Sequence, residues 1–389
     1  MQAVRRGDRG PVVAEIRSKL ASLGLLEHET VAPTAGVPGM DGFDGFDEAC
    51  DRAVRGFQQA RGLSVDGIVG PETYRALDEA RWQLGDRVLS HRVSNPIVGD
   101  DVAELQHRLQ ELGFDPGRAD GILGGRTEFA IREFQRNVGL APDGTCGPHT
   151  LKALARLRRT VVGGRAQWIR ETEELHRAGP TLAGKSIVID PGHGGVDRGA
   201  CHHGLEEAWL AEELAARIEG RLTALGAQAF LTRSADPHGG VIDDADRAAL
   251  ANGIDADLFL SLHIDSSPNP LASGVASYYF GSYGVAGRAT GSAIGARLAE
   301  LLQDEIRTRT DLLDCRTHAK TWALLRLTRM PAVRLELGYL SNATDSRRLA
   351  SAEFRDALAE AVVVAVERLY LPDEAERTAD AYPVAVGLG

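Results

Sequence analysis

Residues 185–200 read KSIVIDPGHGGVDRGA, and the rest of the chain is organised around them. Residues 186–189 form a short apolar run rich in β-branched side chains, which Asp190, Pro191 and Gly192 end with turn chemistry. The run predicts a buried strand, with His193 just past its C-terminal end. In open α/β sheets that edge is where loops form a crevice for ligands. The two glycines after His193 let backbone approach it closely.

Downstream, apolar runs and helical periodicity alternate. Strands are expected at 227–232, 257–264, 274–280 and 333–337, and helices at 205–225, 243–252, 289–308 and 353–369. This order predicts an α/β domain over residues 185–371, a twisted, mostly parallel sheet with helices on both faces. Residues 372–389 lack periodicity and read as a flexible tail.

Upstream the pattern is different. Residues 4–80 and 94–157 repeat one another: GPVVAEIRSKLASLGL and GDDVAELQHRLQELGF open the two copies, and FQQARGLSVDGIVGPET matches FQRNVGLAPDGTCGPHT further on. Val13, Ile16, Leu20 and Leu23 fall at helical spacing, as do Val102, Leu105, Leu109 and Leu112. Each copy is therefore expected to be a small three-helix all-α domain with Phe57 or Phe134 as core anchor. Asp66-Gly67 and Asp143-Gly144 supply turns. Pro71 and Pro148 precede a last helix beginning near Thr73 and Thr150. The first copy carries a Gly- and Pro-rich insertion near 28–45, and residues 158–184 read as a linker with one short helix.

With 389 residues, 43% hydrophobic and 25% charged, the chain has room for two or three domains with sizeable cores. A net charge of −11 argues against nucleic acid or an anionic membrane as a main partner. The N-terminal stretch MQAVRRGDRGPVVAEIRSKL has no apolar run of signal-peptide length, and no segment approaches the roughly 18 residues of a membrane span. A cytoplasmic location is expected. Cys50, Cys146, Cys201 and Cys315 lack CxxC spacing and read as small, partly buried hydrophobes.

Four side chains of the α/β domain fit one site. His193 follows the first strand, His263 ends LFLSLHI, Glu207 sits at the start of the next helix, and Glu336 lies late in AVRLELG. Two imidazoles and a carboxylate are a common catalytic zinc set, beside which a second carboxylate can act as base and acid. A carboxylate in an apolar strand such as that of Glu336 needs a compensating partner. Arg334 is expected on the opposite face of the sheet and is set aside as that partner. Cys201, His202 and His203 suggest a rival metal site, disfavoured because consecutive residues seldom converge on one ion. Asp190 is read either as a turn former or as a group that orients a ligand.

The motifs DPGHGGVDRGA, GLEEAWLAEELA, SLHIDS and RLELGYLSN together resemble the zinc-dependent N-acetylmuramoyl-L-alanine amidases of the type-3 fold, over about residues 184–370. That resemblance implies Zn2+ held by His193, Glu207 and His263, with Glu336 as the catalytic glutamate. It prefers Glu207 to the adjacent Glu206, because the family motif sets its glutamate three residues after a glycine, here Gly204. The implied reaction is hydrolysis of the amide joining the lactyl group of N-acetylmuramic acid to L-alanine, in peptidoglycan or muropeptides.

The two helical copies resemble peptidoglycan-binding domains, which implies binding of glycan or stem peptide; a helical adaptor for a protein partner is the alternative. The whole arrangement is similar to an actinobacterial group within the family. That similarity implies a cytoplasmic regulator of peptidoglycan-precursor synthesis, with a precursor-synthesis enzyme and a Ser/Thr kinase as partners and the amidase fold as scaffold. Thr378, in the acidic tail, is a conceivable phosphosite. Retention of all four site residues favours working chemistry over the scaffold.

Overall fold

The structure, a computed structural model, describes residues 3–26, 45–157, 171–173, 175, 177–233, 240–282 and 290–371. Most of the insertion at 28–45, much of the linker at 158–184, and the whole tail at 372–389 with Thr378 lie outside the described residues. The chain divides into two compact units, one holding both helical repeats and the other most of the α/β domain.

In the first repeat α1 (Pro11–Ser22), α2 (Glu48–Arg61) and α3 (Pro71–Ala80) enclose Ile16, Leu20, Val54, Phe57 and Leu77. In the second, α4 (Asp100–Glu111), α5 (Gly125–Asn137) and α6 (Pro148–Leu157) enclose Leu105, Leu109, Ile131, Phe134 and Leu154. The last helix of each repeat starts at its proline rather than at Thr73 or Thr150, since the fixed φ of proline suits the first helical position. Phe134 is fully buried and meets Phe114 edge-on, ring centroids 5.6 Å apart. Phe134→Ala is expected to cost about 3–5 kcal/mol of stability in this repeat, measured by denaturant unfolding of the full chain. A loss below ~1 kcal/mol would mean that Phe134 does not anchor the core.

A buried glutamine fixes each loop of one recurrent kind. Gln58 Nε2 donates to Asp66 Oδ1, Ile68 O and Thr73 Oγ1, and Gln58 Oε1 accepts from Gly67 N. Gln135 makes the same set with Asp143, Thr145 O, Thr150 and Gly144 N. Gln106 makes it a third time, with Asp120, Ile122 O, Thr127 and Gly121 N. The glycines sit at φ of 72°, 75° and 74°, the left-handed region where other residues are strained. The two-copy repeat thus contains a finer one, legible as DGIVGPET, DGILGGRT and DGTCGPHT.

The α/β unit contains strands β1 (Ser186–Pro191), β2 (Cys201–His202), β3 (Leu205–Glu206), β4 (Gln228–Leu231), β5 (Leu258–Asp265), β6 (Val275–Ser282), β7 (Thr290–Gly291), β8 (Asp314–Lys320) and β9 (Ala332–Tyr339). The main sheet runs β4-β1-β5-β9-β6-β7, with β8 paired to β6. β4, β1, β5 and β9 are parallel, and β6 joins β9 antiparallel. One face buries Ile189, Leu260, Leu262, Val333 and Leu335 against helices Glu207–Ala224, Ala293–Arg309 and Ala352–Tyr370. Helix Asp244–Ile254 packs on the other face, at β1.

That other face is polar toward the strand ends. Asp190, Ser261, Arg334 and Tyr278 form one register row, and His263, Glu336 and Ala276 another, two residues further along. Residues two apart on a strand share a face, so Arg334 lies beside Glu336 and not across the sheet from it. The expectation for Arg334 is corrected by that parity. A second correction concerns the helix start: residues 205–206 pair with β2 in a hairpin turned at Gly204, and the helix begins at Glu207 instead of 205.

Candidate metal centre

β1 delivers the first imidazole, and two buried arginines fix the loop that carries it. Arg247 donates to Pro191 O at 2.9 Å and to His193 O at 2.7 Å, while its charge meets Asp190 at 2.5 Å. Arg233 donates from the other side to Pro191 O, Gly192 O and Ala208 O, and pairs with Glu212. His193 itself sits at φ 56°, an uncommon conformation for a non-glycine residue and one these bonds hold in place. Asp190 is fully buried and also accepts from Thr232 Oγ1 and Ser261 Oγ. Of the two roles considered for Asp190, the bonds show an indirect one: it anchors Arg247, which holds the His193 backbone.

His193, Glu207 and His263 come together, each offering a ligand atom within 4.8 Å of the others. Glu207 lies between the rings, with Oε2 at 3.2 Å from His193 Nε2 and Oε1 at 2.9 Å from His263 Nδ1. Backbone N–H groups of Ala200 and Ile264 aim one donor at each carboxylate oxygen. Burial works to raise the Glu207 pKa, but hydrogen bonds from His193 and His263 and from Ala200 N–H hold it well below the usual carboxylate range. The bond to Glu207, backed by Asp197 at 2.8 Å from Nδ1, pushes His193 up to about 8 against the effect of burial. A metal ion held here would take the place of that proton.

The donor set fits a zinc-type ion. Tetrahedral bonds of about 2.0–2.2 Å put neighbouring ligand atoms roughly 3.4 Å apart, inside the 4.8 Å within which the candidate ligand atoms lie. Two glycines make the clustering possible. A Cβ at Gly192 would fall on the His263 ring, and one at Gly199 on the Glu207 carboxylate and His193. Gly192→Ala is accordingly expected to weaken zinc binding roughly 10–100-fold, measured by chelator competition. Unchanged zinc affinity in that variant would remove the close-packing argument.

Glu336 stands beside His263 in register on the adjacent parallel strand and is 6% exposed. Arg334 Nε and Nη2 both donate to Glu336 Oε1, at 2.9 and 2.7 Å; this is the compensating partner that the strand carboxylate requires. Glu206 is turned away to Arg198. His202 bonds Ser266 Oγ, and Cys201 is exposed, so neither joins the cluster and Cys201 is not the partly buried hydrophobe expected. Cys50 and Cys146 are buried thiols, pushed up to about 11 and about 12 by burial. Asp197, Arg233 and Arg247 escaped sequence reasoning. Asp197 had a usable signal, a carboxylate four residues after the histidine in a glycine-rich loop.

No helix among the described residues is long and apolar enough to cross a membrane. The family profile for N-acetylmuramoyl-L-alanine amidase matches residues 187–368, and that for a peptidoglycan binding domain matches residues 9–77 and 98–154. Over 98% of its length the chain is 46% identical to the N-acetylmuramoyl-L-alanine amidase CwlM of Mycobacterium tuberculosis, covering 93% of that protein. It is 30% identical to the germination-specific N-acetylmuramoyl-L-alanine amidase of Bacillus subtilis, over 49% of this chain and 81% of that one. Among solved structures, the N-acetylmuramoyl-L-alanine amidase AmiC2 of Nostoc punctiforme shares 32% identity at a TM-score of 0.43, over 48% of this chain and 97% of that one.

Proposed function

The chain belongs to the N-acetylmuramoyl-L-alanine amidase family, and from that footing we propose that it hydrolyses the amide between the lactyl group of N-acetylmuramic acid and L-alanine. In this reading His193, Glu207 and His263 hold zinc and Glu336 transfers the proton. The observation that carries it is the convergence of the two imidazoles and Glu207 next to a second buried carboxylate. When bound, zinc supplies a Lewis acid that activates water and polarises the amide carbonyl.

The chain's own residues do the rest. Glu336 takes a proton from the attacking water as the new C–O bond forms, and returns it to the alanine nitrogen as the C–N bond breaks. Both Arg334 donors go to Oε1, so Oε2 is the oxygen turned to this task. Asp197 fixes the His193 ring through Nδ1, leaving Nε2 toward the ligand position. The two helical repeats, by their family, would bind the polymer or its fragments.

One observation favours a second reading. Arg334 already occupies Glu336 Oε1 with two hydrogen bonds, as suits a chain that keeps the amidase fold as a scaffold in the regulation of precursor synthesis. Elemental analysis of the purified full chain, followed by incubation with muropeptides and assay for new L-alanine amine, separates the two. Near-stoichiometric zinc with amine release supports the amidase. Zinc without release supports the scaffold, and absence of zinc removes the catalytic reading.

A further inference from the structure

The two helical repeats share a core but differ on one surface. In the second repeat a pocket of about 430 Å³ opens between the loop after α4 and the first turns of α5, lined among others by Phe114, Asp115, Gly125, Arg126, Phe129 and Glu133. Its size lies in the lower part of the roughly 300–1,000 Å³ range of small-molecule sites. Phe129 is 60% exposed, although large apolar side chains favour burial.

The wall opposite Phe129 is braced. Gln110 Nε2 donates to Gly117 O at 2.7 Å, Thr127 Oγ1 to Pro116 O at 3.1 Å, and Gly117 N to Asp115 Oδ1 at 3.1 Å. Phe114 is pinned edge-on to the core ring of Phe134. A pocket whose walls are fixed by the fold loses little entropy when it binds.

The first repeat lacks the same lining. Aligned on Phe57 and Phe134, its counterparts of Phe129, Glu133, Arg126 and Gly125 are Arg52, Gly56, Ala49 and Glu48. Aligned on Gly24 and Gly113, Leu25 and Leu26 replace Phe114 and Asp115. Arg52 is bonded to Glu48 at 3.1 Å, so an ion pair stands where the second repeat offers a ring.

The charged side chains that line the pocket are already paired. Arg126 Nη2 meets Asp115 Oδ2 at 2.7 Å, and Glu133 pairs with Arg136. A stem peptide carries free carboxylates and amines, and would call for charge that is not already compensated. A sugar ring needs an apolar face to lie on and polar groups at its rim, which are Phe129 with the Asp115, Arg126 and Glu133 side chains.

Resting on the reading of the repeats as peptidoglycan-binding, we propose that the second repeat holds a saccharide site, with Phe129 as platform for an N-acetylated amino sugar of the glycan strand. The test titrates the full chain with the peptide-free disaccharide of N-acetylglucosamine and N-acetylmuramic acid, and separately with the free stem peptide. Phe129→Ala is expected to lower disaccharide affinity at least tenfold, Phe129→Trp to retain it, and Arg52→Ala in the first repeat to leave it unchanged. Phe129 is exposed, so its replacement leaves the repeat folded, as circular dichroism will report. Disaccharide binding that ignores Phe129→Ala overturns the pocket while the peptidoglycan-binding reading stands. Stem-peptide binding that depends on Phe129 overturns the saccharide class. Binding of neither compound overturns both the pocket and the reading it rests on.

Discussion

Glu336→Ala is expected to lower the rate of L-alanine amine release by about 10²–10⁴-fold while zinc content stays near that of the parent. The split follows from position. Glu336 lies beside His263 but outside the His193–Glu207–His263 cluster, so in the proposed mechanism its removal takes away the proton carrier without taking away a ligand. Glu336→Gln keeps the shape and the hydrogen bonds from Arg334 but cannot accept the proton, and is expected to be as slow as the alanine variant. A glutamine variant that turns over within tenfold of the parent would sink the role assigned to Glu336. Arg334 separates the two functional readings further: Arg334→Met frees Glu336 Oε1 but leaves the carboxylate less well aimed, so a rise in kcat would show that the arginine restrains the site.

The largest expected effect on the stability of the α/β unit belongs to Asp190→Asn. Asp190 and Arg247 are both buried, and removing one charge strands the other, at a cost of about 3–5 kcal/mol. For a domain of this size that is roughly a 6–20 °C fall in the melting temperature. The loss should also reach the metal centre, because Arg247 is what ties down the His193 carbonyl. Thermal unfolding with and without added zinc measures both parts. A melting temperature within about 2 °C of the parent would mean that the pair is not a keystone of the loop.

Much of this site can be read from residues 185–200 and from strand ends. The hydrophobic run before Asp190 announces a buried strand, and strand parity then puts His263 and Glu336 on one face; both are local signals. What escaped is long-range or was misread. Arg233 and Arg247 act on backbone carbonyls more than forty positions away in sequence, and nothing near either residue reveals that acceptor. Arg334 was legible in principle, since two residues apart on a strand means the same face. The third glutamine-held loop was also written in the sequence, hidden because DGILGGRT falls within one copy of the larger repeat and not between copies. β8 and the helix Ala343–Ala350 went unread; their segments are too polar for an apolar run to mark them.

The glutamine-held loops set a rule about length. Wherever the glutamine is present, one side chain gauges the loop from both ends, bonding the aspartate at its start and the threonine beyond it, so an added residue would break four contacts at once. The counterpart of Gln106 in the first repeat is Arg17, which among the described residues reaches Gly45 O and Asp47, on the far side of its loop. That loop is the one that has grown, spanning residues 23–47 against 112–124 in the second repeat. With an arginine where the second repeat has its gauge, no glutamine sets the length of this segment, which makes it the natural place in this half of the chain for an insertion or a fused tag.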